Sequence, residues 1–337
     1  MLLFAPLLAL QLLASAASAA PADPFAFFQP SVIVSADDRR ALDRGEPIAR
    51  VLPGKDLEVA VLAAVPVDIG GDRLVAWMRQ IAEMKQSKYV LAIKRFSNPP
   101  SVDDLATLSL EDSELDDLRQ CHPQRCGMKL SSSEMLDLQR AARAADADWK
   151  NAMQQAFRQI VLARVEAYLA TGAVAPYDDK AHVVHPAERF DALLDHTVFL
   201  ERHAPEFVAY LRGYPHAILP DVESFLYWSK ERLAGKPIVS VTHVSILRSR
   251  RPGFPDALVA GKEIFSTHYV NASLGLTSLV CGPHGGSNYL VYINRSEVDT
   301  LGGMFGGIVR FFMQRRLRAE AGAVLDGLRH RLESGPP

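Results

Sequence analysis

Five of the ten histidines in this chain cluster along one stretch: His182, His185, His196, His203 and His216. His182-Val183-Val184-His185, followed by Glu188, would bring imidazole and carboxylate ligands near one another, as a zinc site requires. The H-E-x-x-H pattern of a metallohydrolase is absent, and Pro186 breaks the register between His185 and Glu188. These residues read as a solvated cluster between helices, so neither metal nor cofactor is expected.

Two further histidines, His243 and His268, stand among apolar residues in stretches that read as strands, with Thr242, Ser245 and Thr267 beside them. On a sheet lining a cavity, such groups would orient an apolar ligand, or a histidine would serve as general base. A hydrogen-bonded core histidine is the competing reading. Tyr269, Tyr289, Tyr292 and Asn294 carry the same ambiguity. Tyr227 and Trp228, with Lys230 and Glu231, are expected on a helix just ahead of the C-terminal sheet. There the rings would either line a cavity mouth or pack helix on sheet. Cys281-Gly282-Pro283-His284-Gly285-Gly286-Ser287 has a nucleophile among turn formers, but no strand–turn–helix context and no G-x-S-x-G, and reads as a hairpin loop.

Cys121 and Cys126 read first as a local disulfide, with zinc or free thiols as alternatives. Cys281 is left over and is expected to be a small buried hydrophobe.

The elements that would position these residues divide the chain into a β-rich start, a helical middle and a β-rich end. Ile48–Leu52 and Glu58–Val67 are Val/Ala-rich strands around the turn Pro53-Gly54-Lys55-Asp56, and Gly70-Gly71-Asp72 opens a helix to about Gln86. Lys88–Phe96 alternates as a strand. Ser131-Ser132-Ser133-Glu134 caps a long helical stretch ending near Gly172, and shorter helices follow at roughly 186–200, 205–212 and 221–234. Ile238–Leu247, Leu258–Val270, Leu274–Val280 and Asn288–Asn294 read as hairpin-joined strands, then one helix runs from Glu297 to about Glu333. The period predicts Ser240 and Thr242 on one face of their strand, and His243 and Ser245 on the other.

At the amino end, Leu2–Leu13 is apolar and too short to span a bilayer, and Ala17-Ser18-Ala19 supplies the small residues of a cleavage site. No Lys or Arg precedes the run. The expectation is an exported protein, periplasmic or secreted, cut after Ala19. Composition is ordinary, with 48% hydrophobic residues and a formal net charge of -2, so nothing points to nucleic acid as a partner. Leu301–Met313 mixes paired glycines with apolar bulk ahead of Arg315, Arg316 and Arg318. That segment suits close packing, or a transient membrane contact at the start of the last helix.

Glu263-Ile264-Phe265-Ser266-Thr267-His268-Tyr269, then Leu274-Gly275-Leu276-Thr277, then Tyr289–Ser296 and the final helix, give an order of elements that resembles the START/SRPBCC superfamily. The same segments are similar to a group of secreted bacterial proteins. The likeness covers 31–100 and 236–333. It implies an α+β helix-grip fold: an antiparallel sheet wrapped on a long C-terminal helix, here with a large helical insertion. The implied division is a signal at 1–19, an N-terminal part at 20–100, the insertion at 101–235 and a closing sheet and helix at 236–333. The implied function is to hold a lipid or other apolar small molecule between sheet and helix, with His243, Ser245, His268, Tyr269, Tyr292 and Trp228 as ligand contacts. Two alternatives remain open: a hydrolase or cyclase using a cavity histidine, and an interaction protein without ligand.

Overall fold

The computed structural model describes residues 23–123, 125–179, 182–233, 235–282, 286–299 and 306–335, with side chains of the last helix from Glu320 onward. The signal-like segment 1–19, His284 and residues 301–305 of the glycine-rich stretch lie outside the described residues.

In chain order the first elements are α1 (Ala36–Asp43), β1 (Ile48–Leu52), β2 (Glu58–Val67), α2 (Gly71–Arg79), α3 (Ile81–Met84) and β3 (Val90–Arg95). The helical middle holds α4 (Asp112–Arg119), α5 (Ser132–Ala144), α6 (Trp149–Thr171), a two-residue ribbon of β4 (Tyr177–Asp178) and β5 (Val183–Val184), α7 (Pro186–Asp195), α8 (Val198–His203) and α9 (Pro205–Gly213). The end comprises β6 (Val222–Leu233), β7 (Lys236–Arg248), β8 (Ala257–Ser266), β9 (Val270–Val280), β10 (Asn288–Val298) and α10 (Gly306–Ser334). Eight strands form one antiparallel sheet in the order β1-β2-β10-β9-β8-β7-β6-β3. The protein is therefore α+β, with a large antiparallel sheet and a C-terminal helix.

Several expected elements differ, and the helix expected at roughly 186–200 is α7 and α8. The helix expected at 221–234 is strand β6. Gly235, at φ +87°, closes a two-residue hairpin in which Leu233 pairs with Lys236. Phe225, Tyr227 and Trp228 gain more from a pleated, two-sided burial than the charged ends of the segment gain from a helix. The stretch from Ser131 to Gly172 is two helices, α5 and α6, separated by a turn in which Asp146 takes φ +44°. Its start is as expected: Ser131 and Glu134 close a reciprocal capping box. The helix expected to Gln86 is α2 and α3, which meet at Gln80. The last helix begins at Gly306, because Glu297 and Val298 still belong to β10.

Both faces of the sheet are covered. On one, α7–α9 and the segment Phe25–Val34 pack on Leu258, Leu274, Leu276, Val291 and Ile293. Beside them α4–α6 pack on Leu226, Trp228, Val239, Val241 and Phe265, so the helical middle is the cover of this face. On the other face, α2, α3 and the end of α10 pack on Val65, Val67, Val244, Ile246, Val259, Leu279 and Leu290 through Leu74, Trp77, Met78, Leu325 and Leu332.

Helix α10 is tied to both margins of the sheet. Near β3, the Tyr89 hydroxyl donates to Glu320 at 2.8 Å and Arg331 donates to the Met84 carbonyl at 2.7 Å. Near β1 and β2, Arg329 donates to the Gly45 carbonyl at 3.1 Å and Glu333 accepts from the Asp68 backbone at 2.9 Å. Among the described residues no helix is long and apolar enough to cross a membrane.

Candidate functional site

Strand alternation sorts the polar side chains between the two faces. On the α10 face, each central strand changes character halfway along. Val244, Ile246, Val259, Leu279 and Leu290 are sealed under α2 and α10, whereas Thr242, Gly261, Glu263, Gly275, Thr277, Tyr292 and Asn294 keep accessible surface. The opposite sides of these same strands are closed, with Val241, Leu274, Leu276 and Ile293 all buried. The accessible half therefore forms one patch across β7, β8, β9 and β10.

Its floor is made by two glycines. Gly261 and Gly275 pair across β8 and β9, and neither presents a side chain. Mid-strand glycine weakens a sheet and is found where another group approaches closely. The Tyr292 ring lies beside Gly275, its hydroxyl 3.5 Å from where a Cβ would stand. Tyr292 is 39% exposed although β10 is an interior strand. Burial nevertheless raises its phenol above the ordinary range.

The walls carry charge. After α3, Lys85 donates to Glu231 at 2.6 Å and to the Tyr227 hydroxyl at 3.2 Å, and its ammonium stands 5.2 Å from the Tyr227 ring centre. The Ser229 hydroxyl donates to Glu231 at 2.7 Å. Burial opposes both charges, but their mutual attraction wins, holding Glu231 below and Lys85 above their ordinary values. Glu263 differs: burial, with the Glu231 charge adding to it, pushes its carboxyl up to about 8. On β9 and β10, Asn294 and Ser296 both donate to Ser273, at 3.1 and 2.8 Å.

Of the six side chains expected to contact a ligand, Tyr292 alone stands on this patch. His243 and Ser245 are on β7 but face the helical middle. His243 is 1% exposed, shares a 2.9 Å hydrogen bond through Nδ1 with the Tyr168 hydroxyl, and lies 4.2 Å from the Tyr214 ring centre. Burial pushes its imidazole down to about 3, so it is neutral. Its Nε2 and the Ser245 hydroxyl have no partner among the described residues. Lys262, its cross-strand neighbour, is buried between the rings of Phe190 and Tyr168, and burial brings its ammonium down to about 8. Trp228 is sealed on the same face and donates to the Asp104 carbonyl at 2.9 Å. His268 and Tyr269 are not mid-strand: β8 ends at Ser266 and the two form the turn into β9, with Tyr269 at φ +60°. There His268 Nδ1 lies 2.7 Å from the Gly127 carbonyl.

Cys121 and Cys126 are bonded to each other. Cys281 is exposed rather than buried, because β9 ends at Val280, and its thiol donates to Asp256 at 3.5 Å. His196 shares a 2.8 Å contact with Glu58, and among the described residues no group of His, Cys, Asp and Glu is arranged to hold a metal. A cavity at the β8 bulge is lined by Lys129, Arg164, Tyr177, Asn271 and also Glu263, and has room for about one water.

Sequence reading named Thr242 and Glu231 beside other candidates but overlooked Glu263, Lys85 and Thr277. Two signals were present: an acid inside an apolar strand, and glycines at the centres of two neighbouring strands. Nothing local marked Lys85. The chain matches no protein-family model, and no curated protein matches it.

Proposed function

We propose that this protein binds a small, largely apolar molecule between the α10 face of its sheet and helix α10, as a helix-grip protein of START/SRPBCC type would. The observation that carries the reading is Tyr292, an accessible side chain on an interior strand whose face is packed by α2, α3 and α10. Binding sites for such molecules are mostly apolar concavities with a few placed polar groups. Gly261 and Gly275 provide depth, and Thr242, Thr277 and Tyr292 provide the polar groups. The protein acts outside the cytoplasm: the Leu2–Ala19 segment has the form of an export signal, and the Cys121–Cys126 disulfide suits an oxidising compartment.

The test is titration of the purified protein with a nitrobenzoxadiazole-labelled dodecanoic acid, read by fluorescence. Saturable binding is expected in the wild type. Thr277→Trp, which fills the patch from β9, should lose at least about tenfold in affinity, equivalent to ~1.4 kcal/mol. Its far-ultraviolet circular dichroism should be unchanged. No binding by the wild type, or equal binding by a folded Thr277→Trp, would overturn the proposal.

A further inference from the structure

We infer that Glu263 is the residue that meets the polar end of the ligand, donating the O–H of a neutral carboxyl to an acceptor oxygen such as that of an ester or ketone. The inference rests on the binding reading above and assigns the chemistry of its polar end.

The side chain is in the right place. Glu263 stands on β8 on the α10 face, across from Thr242 and two residues from the Gly261 floor, and retains accessible surface. Its neighbours have already spent their hydrogen bonds on one another. Lys85 is joined to Glu231 and Tyr227, Glu231 to Ser229, and Asn294 and Ser296 to Ser273. Glu263 makes no hydrogen bond and no ion pair among the described residues. It is the one carboxyl of the patch in that condition among the described residues. The hydroxyls of Thr242 and Thr277 are also uncommitted and can add weaker contacts.

An unpaired carboxyl in low-dielectric surroundings keeps its proton, because the charged form loses more hydration than the neutral one. The charged groups around it do not reverse this. Glu231 on β6 opposes its ionisation, while Lys85 after α3 and Lys129 before α5 favour it without joining it in an ion pair. Burial holds the proton of the Tyr292 phenol, and Glu320 of α10 is held by Tyr89. With its carboxyl at about 8, Glu263 is a donor at neutral pH. A ligand ammonium is disfavoured, since Lys85 and Lys129 are both close enough to repel it.

The experiment displaces the labelled dodecanoic acid with methyl decanoate or with decylamine. The proteins compared are wild type, Glu263→Gln and Glu263→Leu. The amide of Glu263→Gln still donates, so ester affinity should stay within about threefold. Glu263→Leu should weaken it by about tenfold, the order of one well-made hydrogen bond. Raising pH from 7 to 9.5 removes the proton of Glu263, so wild-type ester affinity should fall while that of Glu263→Gln holds. Better displacement by decylamine than by the ester, or an unchanged ester affinity in Glu263→Leu, would overturn the assignment while leaving the binding reading intact. Failure of the labelled acid to bind any of the three proteins would remove both. Thermal unfolding of each variant separates lost binding from lost fold.

Discussion

Lys262 carries a cost that a single substitution should remove. The residue is 5% exposed, and its ammonium is enclosed by the rings of Phe190, at 4.6 Å, and Tyr168, at 5.4 Å. Its only hydrogen bond among the described residues is to the Leu211 carbonyl at 3.5 Å. Burial lowers the group from 10.5 to about 8. At 1.4 kcal/mol for each factor of ten, holding the charge in the folded state costs ~3 kcal/mol. Lys262→Met preserves the stem and its packing, so at pH 7 the variant should be stabilised by ~2–3 kcal/mol, the range seen when buried charges are replaced by apolar groups. The sign of the pH dependence follows from linkage. Below about 8 the amine is charged in both states and the full cost is present. Between 8 and 10.5 the folded chain loses the proton while the unfolded chain keeps it, so the cost declines as pH rises. Urea unfolding at pH 7 and 9.5 should therefore show the gap between variant and wild type shrinking by roughly half. A less stable variant at pH 7, or a gap that does not change with pH, would refute the picture of an uncompensated buried ammonium.

Three further outcomes are expected. His243 is buried neutral with a folded value of about 3 against 6.5 ordinarily, so its contribution is complete above 6.5 and is lost as pH falls toward 3; in urea melts from pH 7 to 4, His243→Leu should flatten that decline. Leu332→Ala, at a fully buried site of α10, should cost ~2–5 kcal/mol in thermal or urea unfolding, and an unaffected stability would mean that α10 is not docked. Without denaturant a thiol reagent should titrate one cysteine, Cys281, and three reactive thiols would exclude the Cys121–Cys126 bond, whose reduction should cost only ~2 kcal/mol because the loop is short.

What could be read from the sequence followed what local chemistry decides. The strands β7 to β10 alternate over most of their length, so their existence and faces were legible, including the separation of Thr242 from His243, whereas the end of β8 at Ser266 and the start of β9 at Val270 were not. The Cys121–Cys126 pair was the first reading of that spacing in an exported chain, ahead of zinc or free thiols. Segment 222–233 was not legible, because its Glu, Ser and Lys residues suit an exposed helix. Its fate is settled by the pairing of Leu226 with His243 and of Trp228 with Val241, contacts that only the assembled sheet provides. The turn at Asp146 and the start of α10 at Gly306 are boundary effects of the same kind.

The candidate site was harder to read because its polar residues come from both layers and from distant segments. Composition singles out histidines, yet His243 sits where hydration is removed and a tyrosine satisfies one nitrogen, which makes it structural. Glu263 lies one pleat from His243's cross-strand partner, Lys262. Regular pairing from Ala257 onward sets Glu263 opposite Thr242, on the α10 face, while Lys262 goes to the buried one, and the break of register comes only after Glu263. A sheet covered on both sides offers a ligand room only where a cover lifts away or the floor lacks side chains. Over Gly261 and Gly275 the floor lacks side chains, and α2 and the end of α10 seal the other half of that face while Thr277 and Tyr292 stay accessible. The site is thus a property of how far each covering helix reaches along the strands, and a linear reading of residue types does not contain that length.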